Sequence, residues 1–356
     1  MTSPIPKTTK QWKLIGQDGF DGLKYTEEPV AELGDNQVLV KIKAASLNPR
    51  DLLITRGLYP FPLNPTGIVP GSDGAGTVLA IGKHVTRFQP GDNVLTTINP
   101  TYLSGSITAE TARAGLGAEL DGTFRELGAF DEQGLVRMPE GLSFREAATL
   151  SCAGLTAWNV LFGERRVGEG QWVLTEGTGG VSLFVIRFAK AVGARVIGTT
   201  GRGEVGRRLL EGLGVDFVID YREEREWGVK AKEVTGGVGV DVVVDVVGPR
   251  GLGQSAKAVK LDGVINVIGA VGGFEEGDKG EEIPRLLDTW MNLYTARGVW
   301  VGNRAHMEEM CRAIEGNAEK MRPVIDERSF KLEDLKEAYE YMAEGKHLGK
   351  VCIDIA

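Results

Sequence analysis

Six residues near the middle of the chain, Gly177-Thr178-Gly179-Gly180-Val181-Ser182, have the types and spacing to hold a pyrophosphate. They follow the apolar run Trp172-Val173-Leu174-Thr175-Glu176 and lead into Leu183-Phe184-Val185-Ile186, so the order is strand, glycine turn, helix. A turn of this kind lets the backbone come close to a phosphate, and the helix behind it points unpaired N–H groups at the negative charge. Ser182 stands where a third glycine is usual; that position serves close packing of helix on strand, which a small serine tolerates. Gly236-Gly237-Val238-Gly239 looks similar but precedes its strand, Val240 to Val247, and reads as a surface turn.

A second short strand, Ala194 to Thr200, follows after about one helix of spacer, as a strand–helix–strand unit demands. In NAD sites an acidic residue ends this strand and takes the ribose hydroxyls. Here Thr199, Thr200 and Gly201 stand there instead, with Arg202, Arg207 and Arg208 close behind. A carboxylate would repel a 2′-phosphate, whereas hydroxyls and guanidinium groups bind it, so the pattern predicts NADP(H) as cofactor. Arg207 and Arg208 serve equally well as the solvated face of the next helix. The strand ends at Val247 and Gly269 are expected at the carboxyl edge of the same sheet, where ligands of α/β folds bind.

The elements around this unit divide the chain in two. Val38 to Ser46, Gly76 to Gly82 and Asp92 to Thr97 are runs of β-formers punctuated by glycine and proline, with Gln89-Pro90-Gly91-Asp92 as a turn signal. Residues before about 142 therefore read as an irregular β-rich barrel. From Ser143 helices and strands alternate, with helices over 144–150 and 153–162, which predicts a parallel sheet. The strand Gly298-Val299-Trp300-Val301 is expected at its edge. A last helix, Leu332 to Glu344, leads to a terminal strand, Lys350 to Ile355, expected to return to the β-rich part.

Composition narrows the possible partners. The chain has 356 residues, 42% of them hydrophobic, and a net charge of −8. It has no basic domain to neutralise phosphates, which argues against nucleic acid, and no apolar run long enough for a membrane span. Met1 to Lys7 lacks the apolar core of a secretory signal, and Cys152, Cys311 and Cys352 form no close pair, so a reduced cytoplasm is expected. Cys152 reads as a small filler. Three scattered histidines, His84, His306 and His347, give no zinc-like spacing.

Further segments extend the pattern: Ser46-Leu47-Asn48-Pro49-Arg50-Asp51, Arg56-Gly57-Leu58-Tyr59-Pro60, Pro70-Gly71-Ser72-Asp73, Ala153-Gly154-Leu155-Thr156-Ala157-Trp158 and Gly349-Lys350-Val351. In this order and spacing the chain resembles the medium-chain dehydrogenase/reductase superfamily over nearly its whole length, in its quinone oxidoreductase-like branch. The resemblance implies a GroES-like catalytic domain over residues 1–142, a Rossmann NADP-binding domain over 143–303 and a return to the catalytic domain over 304–356. Zinc-dependent members carry a cysteine where this chain has Asn48 and Gly-His-Glu where it has Gly71-Ser72-Asp73; the segment from Asn99 to Leu120 has none of the structural-zinc cysteines. No metal is therefore expected, since nothing soft is left to hold one.

Without a Lewis acid, the expected chemistry is hydride delivery to an activated C=C bond of an enone or enoyl substrate, or to a quinone, with the enolate stabilised by hydrogen-bond donors. The resemblance points to Tyr59 and Asn48 as those donors. Tyr59 could instead be a pocket wall within an aromatic–proline lid, and Asp51 either orients a neighbour or caps a helix starting after Pro49. It also implies cofactor contacts from Thr156, Gly177, Thr178, Gly179, Gly180, Val181, Thr200, Gly201, Arg202, Tyr221, Val247, Gly269 and Asn303; Lys346 is either a phosphate contact or a solvated lysine. An NADP-dependent alcohol or ketone oxidoreductase and a non-catalytic NADPH-binding sensor or structural protein are the alternatives. A small-molecule electrophile and a second copy of the chain are the expected partners, while Glu275, Glu276, Glu281 and Glu282 read as a solvated rim.

Overall fold

The computed structural model describes residues 5–61, 63–64, 67–274 and 283–355. The acidic rim residues 275, 276, 281 and 282 and the first four residues of the N-terminus lie outside them. Its strands, in chain order, are β1 (Thr8–Leu14), β2 (Leu23–Pro29), β3 (Gln37–Ser46), β4 (Asp73–Ile81), β5 (Asn93–Thr96), β6 (Leu127–Asp131), β7 (Leu135–Arg137), β8 (Trp172–Glu176), β9 (Arg195–Thr200), β10 (Phe217–Asp220), β11 (Val240–Asp245), β12 (Val259–Val267), β13 (Thr295–Gly298), β14 (Ile325–Lys331) and β15 (Lys350–Asp354). They fall into two compact units.

The first unit comprises Met1–Leu155, Asn303–Ala318 and Arg322–Ala356. Its main sheet runs β14-β15-β3-β4-β5-β7, with β6 pairing along the first half of β3. The terminal strand does return here: β15 lies antiparallel to β3, Cys352 opposite Ser46. Trp12, Ile42, Leu47, Phe124 and Tyr339 share its core, and Trp12 Nε1 donates to Leu332 O at 2.6 Å. Close backbone approach fixes the segment leading into β4. A Cβ at Gly122 would stand 1.9 Å from Gly71 O, and Gly71 itself has φ +91°, so Pro70, Gly71 and Gly122 stack backbone on backbone.

Two helical segments follow strands of this sheet along the chain. Residues Pro49–Thr55 start from Asn48, with Asp51 reaching back to accept from Asn48 N at 2.7 Å. Asp51 thus caps the start of its own helix, in the manner of the third residue of a capping box. The segment expected as helices over 144–150 and 153–162 is one continuous path: α-helix Phe144–Ala148, a π-helical turn Leu150–Gly154, and α-helix Leu155–Phe162. The wider turn takes up the break that the sequence showed, and π turns often mark functional sites.

The second unit comprises Thr156–Gly302 and Glu319–Met321. Its six strands are parallel in the order β10-β9-β8-β11-β12-β13, a doubly wound Rossmann sheet whose winding reverses between β8 and β11. Leu174, Ile197, Val243 and Ile265 line its core with Trp227 and Ala231 from a covering helix. The edge strand lies earlier than the sequence suggested. It is Thr295–Gly298, not Gly298–Val301, because it pairs with β12 only as far as Val267 opposite Gly298, where β12 itself ends. Beyond it Val301 turns to φ +29°, outside strand geometry. Among the described residues no helix is long and apolar enough to cross a membrane.

Candidate functional site

In the second unit the loop after β8 has the geometry its sequence promised. Gly177 adopts φ +77°, and a Cβ at Gly177 or Gly179 would meet no atom within 4 Å, so open space lies over both. Gly179 is the extended cap of the helix Gly180–Ala191, which leaves the first-turn N–H groups facing that space. Ser182 Oγ donates to Glu176 O at 2.6 Å, tying the helix to the strand where a glycine would only have packed. This open, glycine-lined loop has the shape that could hold a pyrophosphate. Its residues fit a nicotinamide dinucleotide, with Gly177, Thr178, Gly179, Gly180 and Val181 against the phosphates.

The residues that the resemblance assigns to the adenosine end also lie within this unit. No carboxylate ends β9. Thr200 is buried and its Oγ1 accepts from Arg202 N at 3.1 Å, and Arg202 stands at the N-cap position of the helix Gly203–Gly212. Tyr221 N donates to Thr200 O, and the Tyr221 ring covers Gly201 so closely that a Cβ there would stand 2.3 Å from its hydroxyl. Thr200, Gly201, Arg202 and Tyr221 therefore form one local structure. Arg208 pairs with Glu204, the solvated-face role, and Lys346 pairs with Glu344.

One feature of the switch point was not legible beforehand. Glu176, the last residue of β8, is buried, and its Oε2 accepts from Val246 N at 3.1 Å and Val247 N at 3.2 Å just beyond β11. Its Oε1 accepts from Ser255 Oγ, which also reaches Asp245 Oδ2 at 2.9 Å. Two buried carboxyls thus share one hydroxyl. Desolvation and the neighbouring Asp245 push Glu176 up to about 8, and desolvation raises Asp245 too. The pair staples together the two strands at the reversal, with Val247 as one leg of the staple. Gly269 lies past the end of β12, where a Cβ would meet Val246 O at 3.8 Å.

In the first unit a buried polar cluster occupies the place where the resemblance puts metal ligands. Lys350 Nζ donates to Leu47 O at 2.7 Å, to Asn48 Oδ1 at 2.6 Å and to Asp73 Oδ2 at 3.1 Å. Ser46 Oγ and Ser72 Oγ donate to the two oxygens of Asp73, and all five of these side chains are buried. This donor set does not fit zinc: it has no thiolate or imidazole, and its carboxylate already faces an ammonium. Among the described residues no three His, Cys, Asp or Glu side chains are grouped to hold a metal ion. Because Lys350 can only donate, the amide atom facing it must be the oxygen of Asn48, which turns Nδ2 toward Ser72 Oγ at 3.4 Å as a donor.

Tyr59 belongs to the same unit. Its hydroxyl accepts from Arg50 Nε at 3.3 Å and Nη2 at 3.2 Å, while Arg50 Nη1 holds Leu116 O at 2.9 Å. Burial raises the Tyr59 phenol and the Arg50 charge opposes that rise. Cys152, on the π turn, has its thiol pushed up to about 12 by desolvation and by Asp73, which suits an unreactive filler. Asn303 caps the helix Arg304–Gly316, its Oδ1 accepting from His306 N at 2.8 Å. Asn303 falls in the first unit and Thr156, buried, begins the second. Sequence reasoning singled out Tyr59 and Asn48 but gave no role to Arg50 or Lys350.

The chain is similar to known dehydrogenases and reductases over most of its length. A model of the alcohol dehydrogenase GroES-like domain matches residues 34–140, and a model described as zinc-binding dehydrogenase matches residues 180–316. A zinc-type alcohol dehydrogenase-like protein of Schizosaccharomyces pombe is 41% identical over 95% of this chain and 96% of its own length. The solved structure of an NAD-dependent alcohol dehydrogenase superposes with TM-score 0.84 at 30% identity, over 98% of this chain and all of that one (100%). A quinone oxidoreductase of Pseudomonas syringae gives TM-score 0.80 at 25% identity, over 97% and 99%.

The switch-point carboxyls make a testable demand on pH. Glu176 holds its proton more tightly folded than unfolded, so its contribution favours the fold fully below about pH 4, the ordinary carboxyl range, and is lost as pH rises through about 8. Glu176→Gln keeps an acceptor for the two N–H groups and removes the titration. Thermal unfolding from pH 5 to 8 should show the wild type losing several degrees (~1 kcal/mol or more) relative to the variant. Parallel curves for the two proteins would mean that Glu176 stays ionised throughout.

Proposed function

The chain belongs to the medium-chain dehydrogenase/reductase superfamily of oxidoreductases, and we propose that within it the protein is a zinc-independent, NADPH-dependent reductase of activated C=C bonds or quinones. The observation that carries this reading is the Lys350 ammonium among Asn48, Ser72 and Asp73. Lys350, Ser46 and Ser72 spend their hydrogens within the cluster. The help left for an enolate or hydroquinone oxygen is therefore hydrogen-bond donation from Asn48 Nδ2 and the Tyr59 hydroxyl rather than a Lewis acid. A bound dinucleotide supplies the hydride. The chain's own part is to hold the electrophile's oxygen against the Tyr59 hydroxyl and Asn48 Nδ2 and to give it a proton from the phenol. NADPH as the cofactor is supported by the missing carboxylate at the end of β9 and by Arg202 at the head of the following helix. The cytoplasm suits the three unpaired thiols, and cell fractionation tests that placement.

Purified protein titrated with NADPH and NADH, then supplied with a simple enone and a quinone, tests the function. Preference for NADPH, weakened about 10-fold to 100-fold by Arg202→Ala, is expected. The enone should yield the saturated ketone, with turnover about 100-fold lower in Tyr59→Phe. Allylic alcohol as product would transfer the assignment to carbonyl reduction. NADPH binding without turnover of either electrophile would favour a sensor.

A second copy of the chain is the partner we propose, docking on the open edge of the Rossmann sheet. Beside β13 the helix Leu286–Met291 exposes Leu286 (87%) and Trp290 (72%), with Leu293 and Leu261 also exposed, apolar side chains of the kind that a partner surface covers. Sedimentation at twice the chain mass, reverting to the monomer in Trp290→Glu, is the expected result. A monomeric wild type would remove the proposal.

A further inference from the structure

We propose that Arg50 is the positioning residue that makes Tyr59 an obligate proton donor, so that this chain drives the transfer with a guanidinium where zinc-dependent relatives use a metal. A phenol oxygen can accept hydrogen bonds on its lone-pair side and donate one hydrogen. Arg50 fills the accepting side with two N–H groups, from Nε at 3.3 Å and Nη2 at 3.2 Å. The hydrogen of Tyr59 is therefore directed away from Arg50. The guanidinium is in turn anchored by its third bond, to Leu116 O at 2.9 Å, and by its place in the helix that Asn48 and Asp51 cap. Arg50 is fixed from both ends.

The titratable groups acting on the Tyr59 phenol are Arg50, Asp51 on the same helix as Arg50, and Cys152 on the π turn. Of these only Arg50 favours the ionised phenol. The inference rests on the reductase reading and specifies how its proton step works. In that step the O–H bond of Tyr59 breaks, and a new O–H bond forms on the substrate oxygen with that oxygen's own electron pair. The tyrosinate left beside the guanidinium is reprotonated by water. An arginine cannot itself give up the proton at working pH, so its effect is exerted through Tyr59.

Two readouts test this, one of them independent of turnover. Protein made with 3-fluorotyrosine places a fluorine signal on Tyr59, assigned by its loss in Tyr59→Phe, and fluorination lowers the ionisation of the phenol. In Arg50→Met the Tyr59 ionisation should move up by about one unit or more, and Arg50→Lys, which keeps a charge but not the fork, should fall between. For enone reduction, Arg50→Met should lower kcat about 100-fold with KM and NADPH binding nearly unchanged, and should add almost nothing in a Tyr59→Phe background. An unmoved ionisation, or an equal loss of kcat with and without Tyr59, overturns the inference. If no electrophile is turned over at all, the reductase reading fails, while the fluorine titration still decides whether Arg50 governs Tyr59.

Discussion

One buried ammonium ties three segments of the first unit together. Lys350 begins the last strand, yet its three hydrogens go to Leu47 O, Asn48 Oδ1 and Asp73 Oδ2, which belong to the end of β3, the start of the next helix and the start of β4. Lys350 and Asp73 are both buried, so neither charge is left to water. Removing one partner of such a pair typically costs about 3–5 kcal/mol, because the other is left buried and uncompensated. The same three bonds decide chemistry as well as stability. They set the amide of Asn48 with its oxygen inward, and they place a cation where a metal-dependent site would need thiolate and imidazole.

The second unit solves a different problem in a comparable way. A doubly wound sheet opens a crevice where its winding reverses, and ligands bind there because two loops diverge. Here Glu176 bridges that reversal to Val246 and Val247, and Ser182 ties the helix behind the glycine loop back to Glu176 O. The loop can stay open over Gly177 and Gly179 because the strands beneath it are fastened. In both units a buried polar group fixes what surrounds it: the strands beneath the open glycine loop in one, the Asn48 amide in the other.

Much of this was legible in the sequence, and the reasons are local. The phosphate cradle is strand, turn and helix within about a dozen residues, so its glycine spacing and apolar flanks suffice. The absence of a carboxylate after β9 is equally local. What escaped notice depends on pairings far apart along the chain. Lys350 meets Leu47 across 303 positions, and Glu176 meets Val246 across 70. Neither has a pattern that periodicity reveals. Arg50 was hidden differently: it stands beside Asn48, but its role appears only when the turn after Gly57 brings Tyr59 back onto it. The edge strand was misplaced by three residues because Val299, Trp300 and Val301 have strand-forming side chains, while its real extent is set by where β12 stops.

The central claim is that donors held by buried cations, not a metal, carry the electrophilic help. The most direct measurement is NADPH-dependent enone reduction by protein stripped of metal and kept in chelator, with zinc content read by mass spectrometry on the same sample. Full turnover with well under one zinc per ten chains is the predicted result. Turnover that disappears on stripping and returns in proportion to added zinc would contradict it.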